Sequence, residues 1–348
     1  MNHEPHRHPT IGWDLGGVHV KAALVAQGQV RQAVQAPCRL WRGLPALGES
    51  FSNLPDWARG EADHAVTMTG ELTDCFSDRA EGVAQLSAWA AEHLKGRVRI
   101  YAGRANFVSP EAARDKTADI ASANWHATAA LVGRSVADAL LVDIGSTTAD
   151  LIPVVNGKPA SRGYSDAERL ESGELVYSGV VRTPLLALAA HAPWRGRRTA
   201  LMAETFATAA DIYRLTGDLP DGTDQQHSAD LKGKSLRETQ TRLARMIGRD
   251  VGEGSEAEWR ALAAWFAEAQ LRPLHDAAMT LLSRPDLPHD APLVVCGAGR
   301  FLAERLAGRV GRRAIALTEV LADRVSAADA CWVSTCGPAV AVGLLAAG

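Results

Sequence analysis

The chain has 348 residues, 47% of them apolar and 22% charged, with a formal net charge of −3. That length buries a sizeable core and fits two domains or one two-lobed unit. The near-neutral balance gives nucleic acid or an anionic membrane no electrostatic handle, and no stretch reaches the ~18 apolar residues that span a bilayer.

The opening "MNHEPHRHPT" lacks an apolar signal core and reads as a frayed polar tail, in which His3, His6 and His8 meet a metal only adventitiously. Next comes "IGWDLGGVHVKAALVAQGQV", an apolar run ending in Asp14, a turn at Gly16 and Gly17, a second apolar run and a reversal. Strands are expected at His64–Met68 and Arg97–Tyr101. Between them Val83, Leu86, Trp89, Ala90 and Leu94 recur at the spacing of one buried helix face. "SANWHATAALVGR" predicts a second helix leading into a strand at Ala139–Asp143.

At Leu140 the first device is written again: "LLVDIGSTTADLIPVVNGKP" sets an apolar run, Asp143, a turn at Gly145, a second run and a reversal. Helical spacing is then expected over "TPLLALAAH", "ALMAETFATAADIYRL" and "EAEWRALAAWFAEAQLRPLHDAAMTLL". The Asp- and Gly-rich stretch "TGDLPDGTDQQHSADLKGKS" has no period and predicts a loop, of a length that is usually functional or disordered. "APLVVCGAGRFLAERL" gives strand, Gly turn and helix, and "CGPAVAVGLLAAG" a small-residue helix. The five cysteines (Cys38, Cys75, Cys296, Cys331 and Cys336) are scattered and never form a C-x-x-C pair, which fits a reducing, cytoplasmic compartment.

The repeated device has a chemical use. An aspartate closing a buried strand is costly unless a cation meets it. The glycines after it turn the backbone tightly and bare N–H groups that converge on phosphate oxygens. Gly16 and Gly17 do this in one copy and Gly145 in the other, where Ser146, Thr147 and Thr148 add hydroxyl donors. Lys21 adds a positive charge. Two such cradles grip a polyphosphate and hold hydrated Mg2+ through Asp14 and Asp143, since magnesium takes one or two carboxylates and keeps its waters. A single copy would read as an ordinary β-hairpin; the duplication and a third Gly turn at Gly297–Gly299 favour phosphate.

These motifs, in this order, resemble the actin/sugar-kinase/Hsp70 ATPase superfamily, an α/β fold of the ribonuclease H-like type with two lobes and a cleft between them. The resemblance implies a first phosphate loop at Asp14–Gly17, a second at Asp143–Thr147 and a nucleoside-side loop at Gly297–Gly299. It also implies a first lobe over 1–133, a second over 134–336 with a helical insertion at about 182–282, and a final helix, 337–348, returning to the first lobe. "IGWDLGGVHVKAA", "TMTGELTDCF", "NWHATA", "DIGSTTADLIP", "YSGVVRTPL" and "ETFATAADIYRLTGDL" are similar, over almost the whole chain, to a hydantoinase/oxoprolinase-like branch. Its members belong to methanofuran biosynthesis in tetrahydromethanopterin-linked one-carbon metabolism, with a methanofuran-like cofactor in methylotrophic bacteria.

What that branch implies is an ether-forming transferase acting on two small molecules. The phenol oxygen of a tyramine or tyrosine derivative attacks the CH2 of an aminomethylfuran diphosphate, and pyrophosphate leaves. Asp14, Lys21 and Asp143 would be the catalytic set, with Gly16, Gly17, Gly145, Ser146, Thr147, Gly297 and Gly299 on the phosphates. A phenol titrates near 10, so a general base helps; Glu71, Asp74, His126, Asp150 and Asp211 are candidates, and the sequence does not choose. "KGKSLRETQTRLARMIGR" reads as a solvated basic helix face rather than a substrate-tail site, and the preceding loop as a lid. An ATP-dependent kinase or oxoprolinase-type hydrolase uses the same loops, and a non-enzymatic nucleotide sensor or assembly protein does too. A dinucleotide-binding dehydrogenase fits less well, because the G-x-G of "VVCGAGRFLAERL" has Leu302 where a third Gly belongs. Oligomeric state is not legible.

Overall fold

A computed structural model describes residues 8–325 and 330–348, with the side chains of residues 330 and 331 undescribed. His3, His6 and the Cys331 side chain therefore lie outside the described residues. Two compact units form. One comprises Met1–Ala139, Ile152–Glu168 and Ile315–Gly348, the other Leu140–Leu151 and Arg169–Ala314. The boundary thus falls six residues beyond Gly133, and the segments 152–168 and 315–336, read from the sequence with the second lobe, group with the first unit.

The first unit is built on a six-stranded sheet. Its strands are β1 (Thr10–Leu15), β2 (His19–Ala26), β3 (Gln29–Pro37), β4 (Asp63–Met68), β5 (Val98–Tyr101) and β6 (Phe107–Val108), in the order β3-β2-β1-β4-β5-β6. β1 pairs antiparallel with β2 and parallel with β4. Every residue of β1 is buried, as a central strand covered on both faces requires. Gln27 and Gly28 reverse the chain at φ of 54° and 73°, the left-handed pair of a two-residue hairpin turn. The expected helix covers Arg79–His93; Asp78 caps it by accepting from the Glu81 N–H, and Val83, Leu86, Trp89 and Ala90 are buried.

The helix Gly337–Ala347 packs in the first unit on β1, and glycine permits the approach. A Cβ on Gly12 would stand 1.9 Å from the Ala339 carbonyl oxygen and 2.6 Å from the Gly343 nitrogen. Both atoms are backbone, so neither can swing aside. We expect Gly12→Ala to destabilise the fold by about 3 kcal/mol; chemical denaturation within a few tenths of the parent would refute the close crossing.

The second sheet contains β7 (Ala139–Ile144), β8 (Ala149–Val155), β9 (Lys158–Pro159), β10 (Leu175–Val176), β13 (Leu293–Cys296) and β14 (Ala314–Ala316), in the order β10-β8-β7-β13-β14, with β9 on the end of β8. A separate hairpin joins β11 (His191–Trp194) to β12 (Arg197–Ala200). The layout of the first sheet recurs here: a buried first strand, an antiparallel hairpin on one side through β8, and a parallel strand, β13, on the other.

The long helix expected from the sequence spans Glu256–Leu282, started by a Ser255/Glu258 capping box. Two other expectations need correction. "TPLLALAAH" holds one short turn at Leu185–Ala187 before entering β11, and "ALMAETFATAADIYRL" is helical only over Ala209–Thr216. The reason is long-range backbone pairing: Leu185 N–H donates to Ala207, Ala209 N–H to Thr183 and Ala210 N–H to Val181. Those groups are unavailable to a local helix. The missed hairpin does carry a signal, Arg195-Gly196 at φ of 47° and 74°, and it is secured by Trp194 stacked on Trp259 with centroids 4.4 Å apart.

Candidate functional site

In the first unit the Asp14 hairpin closes as its sequence suggests. Asp14 sits directly across from Lys21, whose Nζ lies 3.7 Å from Oδ2, and the aspartate is only 4% exposed. The Gly16 N–H donates to the His19 carbonyl at 3.0 Å. A Cβ on Gly17 would stand 2.8 Å from Thr73 Oγ1. That contact brings in a segment not previously connected to the hairpin: Thr69 and Gly70 N–H both donate to the Leu15 carbonyl, at 3.1 and 2.9 Å. "LGG" and "TGELTD" are therefore one constellation.

Glu71 follows directly from that contact. It is 1% exposed; Oε1 accepts from Ser122 Oγ at 2.9 Å, and Oε2 has no hydrogen-bond partner. Burial pushes its carboxyl up to about 7, the Asp166 charge adding and the Arg79 charge opposing. Asp74, three residues on, is exposed, and the helix-capping role belongs to Asp78 instead. His126 is half-buried, with Nδ1 2.8 Å from the Tyr101 hydroxyl and its ring edge-on to Trp125 at 5.4 Å. Burial first, and then the Arg104 charge, lowers it to about 4, so at pH 7 it is a neutral member of an aromatic cluster. Glu71 combines a proton affinity near neutrality with an oxygen left for a partner.

The second hairpin repeats the geometry of the first. The Gly145 N–H donates to the Thr148 carbonyl at 2.8 Å, the same three-residue reach as Gly16 to His19. The outer reversal, Asn156-Gly157 at φ of 50° and 74°, matches Gln27-Gly28. Asp143 is 8% exposed. Two neighbouring segments fix the turn. Val180 N–H donates to Gly145, and Val181 and Arg182 N–H both donate to Ser146, at 3.0, 3.1 and 2.9 Å. A Cβ on Gly179 would stand 2.4 Å from Thr147 N. On the other side Gly297 (φ 88°) approaches so closely that a Cβ would lie 2.4 Å from Asp143 Oδ1, and the Gly299 N–H donates to Ile144 at 2.7 Å. Packing alone requires both glycines. Sequence reasoning noted "YSGVVRTPL" without assigning it a part; its Gly179, placed against the Ser146-Thr147 turn, was the available signal.

Two candidates are committed elsewhere. Asp150 pairs with the buried Arg169 guanidinium at 2.5 Å. Asp211 completes the capping box of its helix and pairs with Arg242, which is 0% exposed. The basic stretch is solvated in part: Lys232 and Arg237 are exposed, whereas Arg242 is buried and also pairs with Asp230, Lys234 pairs with Asp224 and Arg249 with Glu253. The loop before it, which holds no helix or strand, is tied down by Arg214–Asp224 at 2.5 Å and Arg305–Asp218 at 2.6 Å.

Each unit carries one nearly buried carboxylate on the first strand of its hairpin, Asp14 in one and Asp143 in the other. Among the described residues no three His, Cys, Asp or Glu side chains cluster as a metal cage. Carboxylate oxygens are hard ligands of the kind magnesium takes in small number while keeping its waters.

Comparison with known proteins now decides the family. The model of the hydantoinase/oxoprolinase family matches residues 63–335, well over half of the chain. The chain belongs to the hydantoinase/oxoprolinase family. It is 31% identical over 242 residues to a Methanocaldococcus jannaschii protein named (4-{4-[2-(gamma-L-glutamylamino)ethyl]phenoxymethyl}furan-2-yl)methanamine synthase, covering 69% of this chain and 72% of that one. A Methanococcus vannielii protein of the same name is 34% identical over 119 residues, 34% of this chain and 53% of its own length. Among solved structures, nucleotide-free acetone carboxylase superposes with a TM-score of 0.53 at 10% identity, covering 96% of this chain and 70% of that one. As in the hydantoinase/oxoprolinase relatives named above, an enzyme is indicated. The fold is the expected α/β, actin-like (ribonuclease H-like) type, and the order β3-β2-β1-β4-β5 is its signature. No helix among the described residues is long and apolar enough to cross a membrane.

Proposed function

We propose that this protein is a transferase of cofactor biosynthesis that joins an aminomethylfuran diphosphate to the phenol oxygen of a tyramine or tyrosine derivative. The observation that carries the reading is the relative's name, which specifies a phenoxymethylfuran and hence an aryl–O–CH2 ether. The new bond is furan CH2–O(aryl); the bond broken is CH2–O(diphosphate); the phenol proton goes to a base and pyrophosphate departs.

We assign the diphosphate to the turns at Gly16-Gly17 and Gly145-Ser146-Thr147, with Gly297 and Gly299 supporting the latter. Backbone N–H groups stabilise charge that grows on a leaving group, and Lys21 adds a cation. Asp14 and Asp143 are the carboxylates assigned to Mg2+, which when bound neutralises developing negative charge on the leaving oxygens. The furan shares the positive charge at its exocyclic carbon, so departure rather than attack needs most help. Glu71 accepts the phenol proton: a base near neutrality is matched to working pH, and its unpartnered Oε2 is the atom that receives it.

The test is direct. Purified protein, Mg2+, aminomethylfuran diphosphate and a panel of phenols should give ether by mass spectrometry and stoichiometric pyrophosphate without ATP. Absence of ether with every phenol, or a strict requirement for ATP turnover, overturns the reading in favour of the kinase or hydrolase alternative.

A further inference from the structure

Around Glu71 the first unit assembles a set of side chains that the reaction as described leaves unused. Ser122 Oγ lies 2.9 Å from Glu71 Oε1 and 3.2 Å from Asp166 Oδ2. Asp166 in turn accepts from Arg79 Nη2 at 2.7 Å, with the guanidinium one-third exposed and the aspartate 15% exposed. Glu71 and Ser122 are both buried, and the backbone of Glu71 presses on Gly82, where a Cβ would stand 2.4 Å from the Glu71 carbonyl oxygen. The four residues come from separate parts of the chain: the segment after β4, the first turn of the Arg79–His93 helix, the residues before Asn124, and the helix Asp166–Ser172.

A hydroxyl has one hydrogen to give and two lone pairs. Ser122 stands between two carboxyl groups and can donate to only one of them at a time. When Glu71 is ionised, the Ser122 hydrogen points to Oε1. When Glu71 carries a proton on Oε2, Oε1 is a carbonyl oxygen that still accepts from Ser122, while Arg79 holds Asp166. Asp166 loses nothing decisive in either state, because Arg79 serves it throughout. A buried carboxyl therefore keeps a hydrogen bond in either protonation state, which spares the cost of an unsatisfied buried group at every turnover.

We infer that Ser122, Asp166 and Arg79 are positioning residues that hold the Glu71 carboxyl through both halves of its proton cycle and set its proton affinity. This rests on the assignment of Glu71 as the base. The charged groups acting on Glu71 are Asp166 from the Asp166–Ser172 helix, which raises its proton affinity, and Arg79 from the Arg79–His93 helix, which lowers it. Their effects are opposite in sign, and a merely structural role would not reproduce that.

The experiment titrates the Glu71 carboxyl by 13C NMR in the full chain and follows the acidic limb of kcat/KM for ether formation. Asp166→Asn should move both midpoints down, and Arg79→Gln should move both up by about 1 unit. Ser122→Ala, which removes the donor to the ionised form, should also move them up. Should D166N fail to fold, R79Q and S122A still carry the test, since Arg79 is partly exposed. Shifts of one sign in D166N and R79Q, or no shift in either, overturn the inference. The base assignment fails separately: Glu71→Gln with full activity sinks it whatever the neighbours do.

Discussion

Replacing Asp143 with Asn is expected to cut kcat/KM about 10³-fold or more while the protein stays folded. The side chain keeps its shape, so the close approach of Gly297 to Oδ1 and the bond from Gly299 to Ile144 are undisturbed. What changes is charge. The carboxylate at the end of β7 is almost buried, and the hydroxyl-bearing Ser146-Thr147 turn begins two residues beyond Gly145's neighbour Ile144. An amide in that position no longer attracts a divalent ion, and an uncompensated diphosphate is a poor leaving group. The measurement is pyrophosphate release against Mg2+ concentration, beside a denaturation curve. Parental rates at saturating Mg2+ would remove Asp143 from the chemistry.

Glu71→Gln is expected to lose activity about 10²- to 10⁴-fold, the usual worth of a positioned base, and to gain stability at neutral and higher pH. The sign follows from the raised proton affinity of the folded state. Below pH 4.5 the carboxyl is protonated in both the folded and the unfolded chain. Between 4.5 and about 7 the unfolded chain releases its proton while the folded one retains it, so stability falls as pH rises. Above about 7 the deficit levels off, on the order of 3 kcal/mol at about 1.4 kcal/mol per pH unit. Glutamine removes the deficit and still offers Ser122 an amide oxygen. Urea denaturation should therefore separate variant and parent at pH 8 and bring them together near pH 4.5. Equal stability at both pH values would mean that Glu71 is not held as the structure places it. The paired outcome, a more stable protein that turns over poorly, is the expected mark of a carboxyl kept buried for function rather than for the fold.

The two predictions draw on residues of different legibility. Asp143 announces itself in the chain: an apolar run, the acid, the glycine and the hydroxyls are nearly consecutive, and the same order recurs at Asp14. Glu71 does not. In "TGELTD" it is one acid among several, equally suited to capping a helix or facing water. Its neighbours show why the residues alone could not choose: Asp78, not Glu71 or Asp74, caps the helix, and Asp150 and Asp211 are held by Arg169 and Arg242. The second unit gives the same lesson for secondary structure. "TPLLALAAH" has helical spacing, yet the backbone around Thr183 and Leu185 pairs with Ala207 and Ala209.

By itself the sequence determined what neighbouring residues can settle. The Asp-x-Gly turns, the reversals at Gln27-Gly28 and Asn156-Gly157, and the Ser255-capped helix follow from alternation, left-handed glycine and capping, all of which act within a few positions of the chain. Only the tertiary structure decided that the Glu71 carboxyl is buried with its proton affinity raised. Proton affinity depends on water excluded and on charges nearby, and for Glu71 those are supplied by Gly82, Ser122 and Asp166, the last two being 51 and 95 positions away along the chain. No local pattern records a neighbour that distant.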